Sequence, residues 1–323
     1  MIKKRRSCVF TEERRFFMYP LINEVTRIKM LQFPVEKIDI LIDSDTNNEI
    51  DDQFAIAYAL LSPERFNVKG ILAAPYVIDD GLQDPEEGML LSYEEIFRLL
   101  RLMGRENIPR DFVKKGSPRF MKPSKEPVPS DAADCILRLA RGYSSENPLY
   151  IVAIGAVTNV ASAIQKDPEI IKNLVVVWLG GNDFGHSPDV FNVNRDKYAA
   201  QVLFDCGVPL IHVPAYYVSS HLITSVPALK SFIGGVNPMC DYFIENVAGF
   251  RAEAFATGKE IWDVSAFAVL MNASWSTSEI TATPIITDQL TWSFDYRRPL
   301  MRNIRTLDRE AIMGDLYRKL KSL

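Results

Sequence analysis

The sequence predicts an α/β fold, with an open, mainly parallel β-sheet and helices on both faces. Three observations predict it. Short apolar runs rich in β-branched residues recur at 38–42, 68–74, 149–154, 174–179 and 209–213, as buried strands do. Most of these runs end in a polar or glycine-containing turn. A helical pattern then follows, and this strand–turn–helix rhythm favours parallel pairing.

Taken in order, Ile38-Asp39-Ile40-Leu41-Ile42 is the first strand, and a polar segment, 43–52, leaves it. Residues 53–61 read as a helix that stops before Pro63, and 68–74 as the second strand. Residues 75–92, acidic and holding Pro85 and Gly88, read as a loop, with a helix at 93–104. The acidic run from Asp79 to Glu87 is a solvated loop or a lid over a site. The proline-rich stretch 116–130 is a loop, followed by a helix at 131–142 and a strand at 149–154. Gly155-Ala156-Val157-Thr158-Asn159 opens a helix at 158–166, and the strand 174–179 ends at Gly180-Gly181-Asn182-Asp183. A helix at 196–206 leads to the strand 209–213. Helices then dominate to about residue 275, short strands fit 280–300, and 308–322 forms a terminal helix. No repeat or low-complexity linker divides the chain. Residues 36–323 therefore read as a single domain, preceded by an N-terminal extension at 1–35.

Apolar residues make up 47% and charged residues 24%, which suits a globular domain with a sizeable core. The net charge of −4 does not point to nucleic acid or an anionic membrane as a partner. Residues 1–30 carry eight Lys/Arg against three Glu, about +5, which leaves about −9 for the rest. The basic stretch Lys3-Lys4-Arg5-Arg6 reads as a solvated arm, with contact to a polyanion as the alternative. The four cysteines, Cys8, Cys135, Cys206 and Cys240, form no CxxC pair. Scattered thiols of this kind suit a reducing compartment. No segment resembles a signal peptide or a membrane span, so a cytoplasmic protein is expected.

In open parallel sheets the ligand site lies beyond the carboxyl ends of the strands. The segments 43–52, 155–159 and 180–195 all leave such ends, so their side chains are expected to meet. The first holds Asp43, Asp45, Glu49, Asp51 and Asp52. Crowded carboxylates repel, and burial raises their pKa values further. A hard divalent cation with oxygen ligands removes that conflict. A helix cap accounts for one or two aspartates, not for four directly after a buried strand.

The stretch from Asp43 to Ala55 resembles the aspartate fingerprint of the inosine-uridine-preferring nucleoside hydrolases, with a turn about two residues longer than usual. Ile154-Gly155-Ala156-Val157-Thr158-Asn159-Val160-Ala161, then Val177-Trp178-Leu179-Gly180-Gly181 with Phe191-Asn192, then Trp262-Asp263-Val264-Ser265-Ala266, are similar to three further blocks of that family, in the family's order. The resemblance covers roughly residues 36–275. It implies a nucleoside hydrolase-like fold and hydrolysis of the N-glycosidic bond of a ribosyl substrate. It implies a bound calcium, with magnesium less favoured. Asp45, Asp52, Asp263 and the backbone carbonyl of Ile154 would hold the metal, and Asp43 would anchor the ligands from behind. Asp51 would be the general base toward a metal-activated water, and Asn192 would bind the ribose hydroxyls. The family habit also implies a homo-oligomer.

The chain departs from the family pattern at three places. Val190 replaces a glutamate that reaches a ribose hydroxyl. Trp262 replaces a histidine that aids the leaving base, and it can stack on a base but not deliver a proton as imidazolium does. The family's Gly-Asn after the second strand is not evident near Ala74-Pro75-Tyr76. Sugar or leaving-group recognition is therefore expected to differ.

Asn182, Asp183 and His186 follow a strand end and are candidates for substrate contact, beside the plainer reading of turn and loop chemistry. His221 is a candidate for the pocket wall. His212 reads as a satisfied core residue, and Tyr242, Phe243 and Phe250 as core. Two rival functions remain. A haloacid-dehalogenase-type phosphatase shares the first strand and the Asp-x-Asp loop, but wants threonine where this chain has Asn47. A non-catalytic, metal-stabilised protein that binds a ribosyl ligand would share the fold.

Overall fold

The computed structural model describes residues 19–78, 81–250 and 258–323. The basic stretch at 3–6, Cys8 and the start of the acidic run lie outside them. The elements that build the sheet are β1 (Ile38–Ser44), β2 (Phe66–Ala73), β3 (Val113–Lys114), β4 (Leu149–Ala153), β5 (Leu174–Leu179), β6 (Leu210–Val213), β9 (Ser276–Ala282) and β12 (Leu300–Leu307). Their order is β3-β2-β1-β4-β5-β6-β12-β9. Every neighbouring pair is parallel except β12 with β9. The remaining strands form two small ribbons: β7 (Ile223–Thr224) with β8 (Lys259–Glu260), and β10 (Ile285–Ile286) with β11 (Trp292–Ser293).

Alternation along the central strands builds two cores. On one face Ile40, Ile42, Val152, Val175, Val177 and Ile211 join a cluster with α2 (Asp51–Leu60), α3 (Pro85–Leu102), α9 (Pro238–Phe250), α10 (Val264–Met271) and α11 (Arg309–Leu320). On the other, Leu41, Ile151, Leu174, Val176 and Trp178 pack on α4 (Asp131–Ala140), α5 (Thr158–Lys166) and α7 (Lys197–Asp205). Successive side chains point to opposite faces of a strand, so a strand covered on both sides must be apolar throughout. The uninterrupted runs in the sequence have this cause. The short helices α1 (Glu24–Met30), α6 (Phe191–Arg195) and α8 (Val226–Ile233) complete the chain.

Two elements differ from expectation. The helix expected at 93–104 begins at Pro85. The Asp84 side chain accepts the Glu86 N–H at 3.0 Å, proline fills the first turn, and Glu86 and Glu87 favour the positive end of the helix dipole. The acidic residues that suggested a loop are helix-start chemistry. The short strands expected within 280–300 are present as β10 and β11, but the longer β9 and β12, which complete the sheet on either side of that window, were not expected. β12 looks too polar for an inner strand. Its Arg302 is satisfied by the Leu31 carbonyl and the Ser278 hydroxyl, both at 2.6 Å, and Asn303 bonds His212 Nδ1 at 2.8 Å. His212 is fully buried with its other nitrogen on the Gly180 carbonyl, a core histidine as expected. Phe243 is likewise in the core and Tyr242 packs at its edge, whereas Phe250, expected in the core, is exposed at the end of α9. Residues 19–35 pack on the domain through Tyr19 to Gln165 at 2.8 Å and the buried Arg27 to the Gly207 carbonyl at 2.8 Å.

Candidate functional site

β1 delivers Asp43 and Ser44 at its end, and a tight turn follows, closed by Asn48 N–H on the Asp45 carbonyl at 2.7 Å. The next helix, α2, starts at Asp51, so Asp51 and Asp52 occupy its first turn, where the dipole favours negative charge. All ten residues of α2 are buried, which locks that turn in place. Neighbouring β4 runs into Ile154 and Gly155, and Asp263, far along the chain, stands immediately before α10 with its side chain free of any capping bond to the helix.

These segments converge. Asp51, Asp52 and Asp263 each present a carboxylate oxygen within 4.8 Å of the others. The Asp263 N–H donates to Asp51 Oδ2 at 3.3 Å. Asp52 accepts from Ser44 Oγ at 2.6 Å, and Asp45 from Asn48 Nδ2 at 3.2 Å. Asp45 also lies against Gly155, where a Cβ would come within 2.6 Å of its Oδ1. Glycine is the only residue that admits this approach. The turn is fixed by Trp178 Nε1 donating to the Gly155 carbonyl at 3.0 Å. Asp45, Asp51, Asp52, Ile154 and Asp263 line one pocket, together with Asn48, Glu49, Leu179, Gly180, Val190, Phe191, Asn192, Ala215, Tyr216 and Trp262. Its cavity of about 90 Å³ exceeds the ~10–15 Å³ that one water requires.

Electrostatics set the chemistry. Burial, then the neighbouring Asp52, pushes Asp45 well above the ordinary carboxylate range. Burial, then Asp51 and Asp52, does the same to Asp263, and burial with Asp51 moves Asp52 to about 8. Four enclosed aspartates cannot all be charged beside one another without a cation. The donor set is all oxygen and gathered around open space, so it fits a hard divalent ion. Asp43 stands behind the pocket, fully buried. Asn159 Nδ2 donates to its Oδ1 at 2.8 Å, while burial raises it to about 7. Asn159 is held in turn by Ser117.

Not every singled-out residue reaches the pocket. Asn192 lines it, but its Nδ2 donates to the carbonyls of Ile154 and Leu179, both at 2.9 Å. It thus bonds the carbonyl expected to face a metal. Asn182 sits beside the pocket as a tie, donating to the Ser187 carbonyl at 2.7 Å and accepting the Tyr216 N–H at 3.2 Å. Asp183 pairs with Arg305 at 2.5 Å, and His186 is exposed and stacked on Tyr217 at 3.9 Å. These three, and the exposed His221, do not line this pocket.

Lys259 escaped the sequence reading. Its side chain is completely enclosed. Its Nζ lies 2.6 Å from Glu49, 3.6 Å from Asp51 Oδ1 and 4.3 Å from the centre of the Trp262 ring. Burial alone would lower its pKa, but Asp51 and Glu49 outweigh that and raise it, so it is a fixed cation. A single lysine between Gly258 and Glu260 carries no sequence signal of burial.

The family model described as inosine-uridine preferring nucleoside hydrolase matches residues 40–313. The chain belongs to this family. The match embraces every segment that lines the pocket and sets aside the phosphatase reading. Among curated proteins, the pyrimidine-specific ribonucleoside hydrolases RihA of Citrobacter koseri and Escherichia coli are each 29% identical over 197 residues. That stretch is 54% of this chain and 59% of theirs, so the chain spans about three fifths of the length of the curated relatives it matches. Among solved structures, a plant nucleoside hydrolase aligns with a TM-score of 0.70 at 21% identity, over 88% of this chain and 99% of that one. A purine-preferring ribonucleoside hydrolase from Gardnerella vaginalis aligns with a TM-score of 0.68 at 19% identity, over 88% and 98%. Both likenesses concern the fold, which is the nucleoside hydrolase architecture. Among the described residues, no helix is long and apolar enough to cross a membrane.

Proposed function

We propose that this chain hydrolyses the N-glycosidic bond of a ribonucleoside or related N-ribosyl compound, with calcium rather than magnesium as its ion. The observation that carries this reading is the meeting of Asp51 and Asp263 across 212 residues of sequence, at the strand ends of a nucleoside hydrolase family member. Asp45, Asp52, Asp263 and the Ile154 carbonyl would hold the ion, with Asp43 as their anchor. Bound there, a divalent cation lets the carboxylates stay ionised together and makes water more acidic.

The chain's own groups do the rest. Asp51 takes a proton from the attacking water. The pocket carboxylates stabilise the positive charge that develops on the ribose as the glycosidic bond breaks. Asn192, held by two carbonyls, offers its amide oxygen to a ribose hydroxyl. Trp262 and Tyr216 give the leaving group an aromatic wall. A second reading of the base is favoured by one contact: Asp51 Oδ1 already faces the Lys259 ammonium at 3.6 Å. Asp45 has no cation beside it among the described residues.

Released ribose, measured over a panel of purine and pyrimidine nucleosides with calcium and with a chelator, tests the proposal. Calcium-dependent release supports it, and ligand binding without any release would make the chain a ribosyl-binding protein instead. The Asp51→Asn and Asp45→Asn variants separate the two bases by which loses more kcat. Three buried free thiols suit the cytoplasm, where we place the protein. We read residues 36–323 as one domain. A homo-oligomer is proposed on family habit, and light scattering checks it.

A further inference from the structure

Lys259 does more than neutralise a buried charge. Its ammonium is hemmed in on every side that the structure describes. Glu49 lies at 2.6 Å, the Glu260 carbonyl accepts at 2.8 Å, the Trp262 ring covers it at 4.3 Å and Asp51 Oδ1 stands at 3.6 Å. Three of these neighbours, Glu49, Asp51 and Trp262, line the pocket, while the lysine itself does not. Asp51 is therefore gripped twice: one oxygen faces Lys259 and the other accepts the Asp263 N–H at 3.3 Å. A carboxylate gripped at both oxygens keeps a single rotamer. A fixed charge this near is felt strongly, because the groups are enclosed and water screens little.

We propose that Lys259 is a positioning residue, a built-in cation that holds Asp51 and Glu49 at the pocket wall and, by its charge, weakens the affinity of the carboxylate cluster for the divalent ion. The inference rests on the hydrolase reading for its kinetic half only. Removing the ammonium leaves the cluster one positive charge poorer, so calcium binds more tightly. It also frees Asp51 to turn, so turnover slows even though the ion is held better. A lysine with a merely structural role would weaken both properties or neither.

The test uses the full chain with Lys259→Met and Lys259→Arg, and calcium chloride as the titrant in calorimetry. Lys259→Met is expected to bind calcium at least about tenfold more tightly, because a like charge is removed from a low-dielectric site. Its kcat on the best nucleoside of the panel falls about tenfold or more, with KM changed by less than about threefold, since a misplaced group costs the transition state and not ground-state binding. Lys259→Arg keeps the charge and restores calcium affinity toward that of the unmodified chain. Thermal melting confirms that the variants fold. Should the methionine variant not fold, Lys259→Gln, which keeps a donor for the Glu260 carbonyl, takes the same readouts. Unchanged or weaker calcium binding in a folded, uncharged variant overturns the proposal, as does unchanged kcat. A parent chain that binds calcium but releases no ribose overturns the hydrolase reading alone, and the titration still decides the role of Lys259.

Discussion

A single methyl group at Gly155 is expected to disable the metal site while leaving the fold standing. The Cβ of alanine there would lie 2.6 Å from Asp45 Oδ1, 3.0 Å from its Cγ and 3.2 Å from its backbone nitrogen. Ordinary contact begins near 3.4 Å, so the carboxylate must retreat by about 0.8 Å. Metal ligands tolerate departures of only ~0.2 Å, and a misplacement of ~1 Å in an active site costs ~100-fold in rate. Overpacking of this kind also costs about 1–3 kcal/mol of stability. Gly155→Ala is therefore expected to lose about a hundredfold in kcat and to bind calcium measurably less well in calorimetry, with a folded circular dichroism spectrum. Gly249→Ala is the control. Nothing lies within 4 Å of a Cβ there, and the residue is in helix α9, so alanine is expected to add up to about 1 kcal/mol of stability and leave calcium binding alone. A Gly155→Ala variant with the parent's calcium affinity and turnover would refute the reasoning, because Asp45 would then have no fixed position to lose.

Other expected outcomes follow from the same geometry. Burial raises Asp43 to about 7, so its folded form holds a proton more firmly than its unfolded form. In chelator-containing buffer, stability from this group is present below about pH 4 and is lost as pH rises to about 7. Asp43→Asn removes that loss, and urea titrations at pH 5 and pH 8 should show a pH slope shallower by about 2–4 kcal/mol; an unchanged slope counts against it. Asp263→Asn takes one carboxylate from the cluster of three. It should cut calcium affinity by more than the ~10–100-fold that outer partners of a metal site cost, and calorimetry reads this directly. Asp183→Asn loses only a partly exposed pair with Arg305, worth about 0–1 kcal/mol, and leaves kcat/KM within about twofold in the ribose assay.

The parallel sheet was legible because strands covered on both faces have no polar positions to confuse the pattern, as β4 and β5 illustrate. The aspartates were legible because four in one short segment have no cheap structural use. β12 was not, since its polar side chains find buried partners contributed by residues as distant as Leu31 and His212. The start of α3 was hidden because acids at a helix start and acids in a solvated loop look alike until a cap is seen. His186 and Asp183 were placed by their distance from a strand end, but a loop can turn either way once its polar groups find partners. Lys259 was invisible because the acidic partners that mark it as a buried cation, Glu49 and Asp51, lie more than two hundred positions earlier.

The joining of Asp51 to Asp263 has a consequence for biogenesis. A chain emerging from the ribosome acquires Asp51 and Asp52 early, yet the carboxylate that meets them arrives only with the last fifth of the sequence. Until then the cluster lacks its third carboxylate. A divalent ion held there would act as a clasp fastened at the end of synthesis, and truncation anywhere before α10 would remove one of its three carboxylates.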